Sequence, residues 1–174
     1  MQALLVLDVL DAIFELPVPL HDPAGFMQRV RGLLDRARAA RVPIFHAQQL
    51  GADGSLFAPD APGRRFPASV APLPGEHVIQ KSEPDMFYET PLAELLASLA
   101  VDELVICGFA SEACVDTTVR SAWAKRFKVT LAAGAHTTTA NAILTAEQVV
   151  RHHELVLARF ARVVPADEIV FASS

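Results

Sequence analysis

The sequence predicts an α/β fold of three layers, α/β/α, around an open and mostly parallel sheet, and three observations predict it. Short apolar runs, most of them rich in β-branched residues, recur along the chain at the length of buried parallel strands. Amphipathic helical patterns fill most of the intervals between them. The chain has 174 residues, 52% of them hydrophobic, and a mean hydropathy of +0.31, enough apolar material for one sizeable core. With no internal repeat, low-complexity tract or linker, a single domain over 1–174 is expected.

In chain order, ALLVLDV (3–9) reads as the first strand, and the stretch from Pro23 to Arg41 as a helix. That helix places Phe26, Val30, Leu33, Leu34 and Ala37 on one face, with arginines between them. VPIFHAQ (42–48) is the second strand. Residues 49–76, rich in Gly and Pro, run well beyond an ordinary loop, and segments of that length are usually lids, binding loops or interface pieces. HVIQK (77–81) is the third strand. A helix from Pro91 to Leu99 follows, with Thr90 as its N-cap and proline at its first position. DELVICG (102–108) and KVTLAA (128–133) are the fourth and fifth strands. Between them Val115, Val119 and Ala122 form the apolar stripe of a helix, and from Thr145 to Phe160 a last helix opens on TAEQ, a Thr cap.

Composition excludes several functions. Twenty acidic residues against 15 basic give a formal charge of −5, with Lys and Arg scattered rather than gathered into a stripe, so nucleic acid is not an expected partner. MQALLVLDVLD lacks a basic n-region and a small-residue cleavage site, and no apolar run approaches the roughly 20 residues that span a bilayer. A cytoplasmic protein without membrane contact is expected. Two cysteines, Cys107 and Cys114, are too few for a disulfide framework and stay as thiols in a reducing compartment.

In a doubly wound sheet ligands bind beyond the carboxyl ends of the strands. There the sequence places Asp8 after the first strand, Lys81 at the end of the third and Cys114 after the fourth: an acid, an amine and a thiol on one rim. Each has a plain structural reading, as a cap, a solvated amine and a small buried hydrophobe, which joint placement makes less apt. Ser111 is positioned to cap the following helix, which puts Cys114 in its first turn. The positive end of the helix dipole and the Lys81 ammonium both favour a thiolate and depress the thiol pKa, while Glu112 and Asp116 oppose them. The N–H groups of Ala110 and Cys114 are candidates to hold an oxyanion. Nucleophile, base and oxyanion site together are what acyl transfer requires.

Three segments carry a family resemblance: LLVLDV with Asp8, VIQKSEPDMFYETPL with Lys81 and LVICGFASEACVDTTVRSAW with Cys114. In this order and strand context the chain resembles, over nearly its whole length, the isochorismatase-like cysteine hydrolase superfamily, which includes nicotinamidases, N-carbamoylsarcosine amidohydrolases and streptothricin hydrolase. AHTTTANAILTAEQVVRHHELVLA resembles a tail of the branch near streptothricin hydrolase. The resemblance implies a Rossmann-like sheet of about six strands and a catalytic triad. In that triad Asp8 takes the thiol proton, Cys114 attacks a carbonyl carbon to form a thioester, and Lys81 stabilises the charge. It also implies a cis peptide at Phe109–Ala110, which turns the Ala110 and Cys114 N–H groups toward the oxyanion, a small-molecule substrate, and a homo-oligomer.

The sequence departs from the family pattern at Leu10, where Gln is common, and at Gly134, where Asp is common. Nicotinamidases carry an Asp-x-His metal motif after the second strand, where this chain reads FHAQQLGADG, so neither a metal nor another cofactor is expected. His152 and His153, adjacent in a helix, point in different directions and make no helical zinc site. Phe14, Gln48, Phe87 and His136 are candidates to touch substrate, with core packing the competing reading for the two phenylalanines. Two other functions compete. Vinyl ether cleavage of the isochorismatase type needs the Asp but no thiol, so Cys114 with Lys81 reads against it. A thiol redox sensor or non-catalytic binding protein is the third, although Cys107, pointing into the sheet from a strand, meets Cys114 only after rearrangement.

Overall fold

The central sheet of the computed structural model, which describes residues 1–172, comprises β1 (Gln2–Leu7), β2 (Ile44–Gln49), β3 (His77–Lys81), β4 (Glu103–Phe109), β5 (Lys128–Thr137) and β6 (Arg162–Pro165). They lie in the order β3-β2-β1-β4-β5-β6, with every neighbouring pair parallel. Successive strand residues face opposite sides, so β1 sends Leu4 and Val6 into one core and Leu5 and Leu7 into the other. The two faces need two helical covers. Helix α1 (Pro23–Ala40) and the segment through Ile169 and Phe171 cover the first; α2 (Leu92–Ser98), α3 (Asp116–Ala124) and α4 (Ala146–Leu157) cover the second. The expected three layers are thus present.

The caps explain where the helices begin. Pro23 starts α1 after Asp22, whose carboxylate accepts the Gly25 N–H at 3.2 Å. Phe26, Val30, Leu33 and Leu34 on its inner face are at most 1% exposed, and burial of each such side chain contributes about 1.5–3 kcal/mol. Thr145 and Gln148 form a reciprocal capping box at α4, as TAEQ suggests. Thr90 accepts the Leu92 N–H at 3.3 Å, so α2 starts one residue later than the sequence indicates.

Two glycines meet conformational demands in the central strands. Gly108 has φ +124°, and a Cβ there would meet the Leu7 carbonyl oxygen at 2.1 Å, so no other residue lets β4 lie against β1. In β5 the pairing jumps from Ile106↔Leu131 to Gly108↔His136, a bulge that carries the strand four residues past the expected end at 133. Gly134 sits in that bulge at φ +75° under the Arg29 side chain, whose Nε donates to its carbonyl at 2.6 Å. The departure at Gly134 is therefore a backbone requirement.

The long 49–76 segment is anchored rather than loose. Arg64 donates to the carbonyls of Gln49 (3.1 Å) and Pro59 (2.9 Å), and the Asp11 N–H bonds the Arg65 carbonyl at 2.8 Å. Its far end is tied by Glu76, which takes two bonds from Arg38 of α1 (2.7 and 3.1 Å), the Leu73 N–H (3.0 Å) and His46 Nε2 (2.8 Å). Burial pushes the Glu76 carboxyl up, but these donors outweigh it and hold the group at about 2. A depressed carboxyl stabilises the fold above its unfolded value near 4.5 and loses that contribution as pH falls toward 2. His46, pushed down by burial against Glu76, adds a separate loss that begins below about 6.5. Urea midpoints followed by circular dichroism should thus drop steeply between pH 4.5 and 2 in the wild type and flatten over that window in Glu76→Gln; an unchanged slope would remove Glu76 as the cause. Among the described residues no helix is long and apolar enough to cross a membrane.

Candidate active site

The strand order reverses between β1 and β4, and at such a switch point the loops diverge to leave a crevice. Asp8 leaves β1 at φ +50°, a left-handed conformation that Asp tolerates better than most residues. Lys81 ends β3 and reaches inward past β2; its side chain is 0% exposed and that of Asp8 3%. Cys114 stands beyond β4. Its segment, Ser111–Val115, is one wide turn of π-helix rather than the first turn of an α-helix, and α3 starts only at Asp116. The peptide between Phe109 and Ala110 is cis, and the Ala110 carbonyl accepts both the Ala113 and Val115 N–H groups, at 3.0 and 3.1 Å.

The three side chains meet at the lysine. Its Nζ lies 2.8 Å from Asp8 Oδ2 and donates to Gln49 Oε1 at 2.6 Å, the Glu83 carbonyl at 3.1 Å and Cys114 Sγ at 3.3 Å. Burial works against the ammonium, but the charges of Asp8 and Cys114 more than compensate and raise its pKa. Both Asp8 oxygens are buried without a hydrogen bond of good geometry, so the contact with Lys81 is an ion pair with acceptor capacity to spare. This is a buried base beside a thiol.

The thiol itself corrects an expectation. Burial pushes Cys114 up, the Asp8 charge pushes it further and Lys81 only partly opposes them, leaving it at about 11. The Lys81 ammonium, already paired with the Asp8 carboxylate, does not offset the burial and the Asp8 charge. Glu112 and Asp116, expected to disturb the thiol, are engaged elsewhere: Glu112 accepts the Thr138 hydroxyl and Asp116 is bonded to Arg120. Ser111 caps nothing. Its Oγ lies 2.8 Å from His136 Nδ1 instead.

The candidate substrate contacts separate. Phe14 ends a short 3-10 turn after β1 and keeps 40% of its surface exposed. Phe87 is buried in the core with Leu92 and Leu96 and stacks on Phe127 at 5.9 Å between centroids, so it is packing and not a pocket wall. Gln48 binds the Arg64 carbonyl at 2.9 Å and holds the long segment. His136 is 1% exposed and fully turned toward Ser111 and Glu154. Gln49, not singled out from sequence, is the residue that touches Lys81. Strand alternation was the available signal, since Gln49 shares the parity of Phe45 and Ala47 on the face that carries Ile79. Among the described residues no three His, Cys, Asp or Glu side chains gather closely enough to hold a metal ion.

Comparison with known proteins agrees with this architecture. Residues 2–168 match the Isochorismatase domain. Streptothricin hydrolase of Streptomyces noursei is 42% identical over 137 residues, covering 79% of this chain and 50% of that protein. The chain spans about half the length of the streptothricin hydrolases it matches. N-carbamoylsarcosine amidase of Arthrobacter sp. is 30% identical over 117 residues, covering 57% of this chain and 44% of that protein. The crystal structure of an isochorismatase from Pseudomonas putida KT2440 superposes with a TM-score of 0.93 at 33% identity, covering 97% of this chain and 90% of that one. A domain match over nearly the whole chain, joined to this structural agreement, makes the protein a member of the isochorismatase family of hydrolases.

Proposed function

We propose that the protein hydrolyses an amide C–N bond of a small molecule through a thioester on Cys114. The observation that carries this reading is the convergence of a thiol, an ammonium 3.3 Å from its sulfur and a buried carboxylate 2.8 Å from that ammonium. The N-carbamoylsarcosine amidase among the relatives supports C–N cleavage as the bond class.

In this mechanism Asp8 accepts the thiol proton as sulfur attacks the carbonyl carbon. The carbonyl oxygen becomes an oxyanion held by the backbone N–H groups of Ala110 and Cys114. Collapse breaks the C–N bond, and the leaving nitrogen takes the proton from Asp8. Asp8 next removes a proton from water, the hydroxide attacks the thioester carbonyl, and the thiol departs reprotonated while the acid is released. Lys81 keeps its charge throughout, facing the thiolate whenever it forms. Gln49 holds the ammonium in place by accepting from it at 2.6 Å.

The test is hydrolysis of a panel of small primary amides, carbamoyl compounds and cyclic amides, with intact-mass spectrometry of enzyme quenched during turnover. Release of ammonia or ring-opened product together with an acyl adduct on the Cys114 peptide supports the reading. Turnover that leaves no adduct and survives loss of the thiol overturns it in favour of chemistry driven by Asp8 alone.

A further inference from the structure

We propose that His136 is a positioning residue for Cys114, acting through the hydroxyl of Ser111 to hold the π turn that carries the nucleophile. Ser111 and His136 are 0% and 1% exposed, and their Oγ and Nδ1 atoms lie 2.8 Å apart. The other ring nitrogen, Nε2, faces Glu154 Oε1 of α4 at 3.5 Å. The His136 ring holds the Glu154 carboxyl below its ordinary range, so the acceptor-only carboxylate faces Nε2. With the proton drawn to Nε2, Nδ1 is left as an acceptor and the Ser111 O–H donates to it.

The arrangement has the order of a serine–histidine–acid relay, but Ser111 has no exposed surface and is not a second nucleophile. Its consequence is mechanical. A hydroxyl that would ordinarily cap the helix is turned sideways to β5, and the turn begins without a side-chain cap. One residue on, Glu112 is bonded to Thr138 just beyond the end of β5 at 2.8 Å. The turn is thus clamped at two successive residues to the end of the bulged strand. That fixes Sγ three residues further along against Lys81 and Asp8. Released from the clamp, the half-buried thiol leaves its place beside Asp8 and Lys81 and behaves more like a free cysteine.

This inference rests on Cys114 as nucleophile, but it is scored on the thiol itself, so it stands or falls separately from the amide panel. The experiment is alkylation of Cys114 by iodoacetamide at pH 8, followed by peptide mass spectrometry, which separates Cys114 from buried Cys107. Ser111→Ala and His136→Ala should each raise the rate about tenfold, the effect of lowering the thiol pKa by about one unit. The double variant should match the singles, because one path is cut twice. An Asn amide reaches the Nδ1 position and a Gln amide the Nε2 position, so His136→Asn should keep the wild-type rate while His136→Gln follows alanine. Simple loss of packing would not sort the two amides this way. Folding is checked by urea midpoints, and the near-isosteric Asn and Gln pair serves if alanine does not fold. A folded Ser111→Ala with the wild-type rate, or Asn and Gln variants that behave alike, would overturn the proposal.

Discussion

Cys114→Ala is expected to lose hydrolysis by about 10⁴-fold or more while folding to nearly wild-type stability. Removing a nucleophile leaves only binding and oxyanion contacts, and losses of at least this size are usual when one member of a nucleophile–base unit goes. The fold loses one sulfur and its contact with Lys81 at 3.3 Å, a change of about 1 kcal/mol, since Lys81 keeps Asp8, Gln49 and the Glu83 carbonyl. With its thiol held at about 11, Cys114 keeps its proton at neutral pH, and in the proposed mechanism attack requires Asp8 to take it. Asp8→Asn should therefore be as damaging as Cys114→Ala, and the double variant no worse than either. Product release on the responding substrate and the acyl adduct by mass spectrometry check both points. Residual activity of Cys114→Ala within tenfold of wild type would exclude the thiol as nucleophile.

Most of the fold was legible because its signals are local. Alternating strands and helices, the TAEQ box and the apolar face of α1 are patterns within single elements, and five strands and four helices could be placed from them. The sixth strand, Arg162–Pro165, has only four residues, none of them fully buried, and so gives no apolar run to recognise. The end of β5 was missed because a bulge around Gly134 carries the strand through a stretch that reads as a turn. At the site, Asp8, Lys81 and Cys114 could be placed on one rim because each stands at or just beyond the carboxyl end of a strand, a position that sequence and topology fix together. Gln49 was within reach of the strand parity but was not singled out, and the Ser111–His136 pair could not be placed, since it depends on which side chain reaches a neighbouring element. The thiol was misjudged for the same reason: local sequence offers a helix dipole, while tertiary burial and the Asp8 charge decide the outcome.

Lys81→Met tests both the ion pair and the chemistry, and its two effects can be pulled apart. Lys81 and Asp8 are each buried, at 0% and 3% side-chain exposure, so deleting the ammonium leaves a carboxylate in the interior with no compensating charge. Breaking a buried pair in this way costs about 3–5 kcal/mol, far more than an exposed pair is worth. Methionine fills much of the lysine stem's volume, so the loss is electrostatic rather than a cavity. Adding Asp8→Asn removes the stranded charge, and the double variant should recover most of the lost stability in urea denaturation, because two neutral groups need no partner ion. Activity should not return, since the double variant has neither the base nor the cation. A stability loss that persists in the double variant would assign Lys81 to packing and its bonds to Gln49 and Glu83. Recovery of turnover along with stability would show that the pair holds the fold and not the reaction. Stability restored with hydrolysis still absent is the outcome that separates the two roles: Lys81 then offsets Asp8 in the resting fold and faces the thiolate during the reaction.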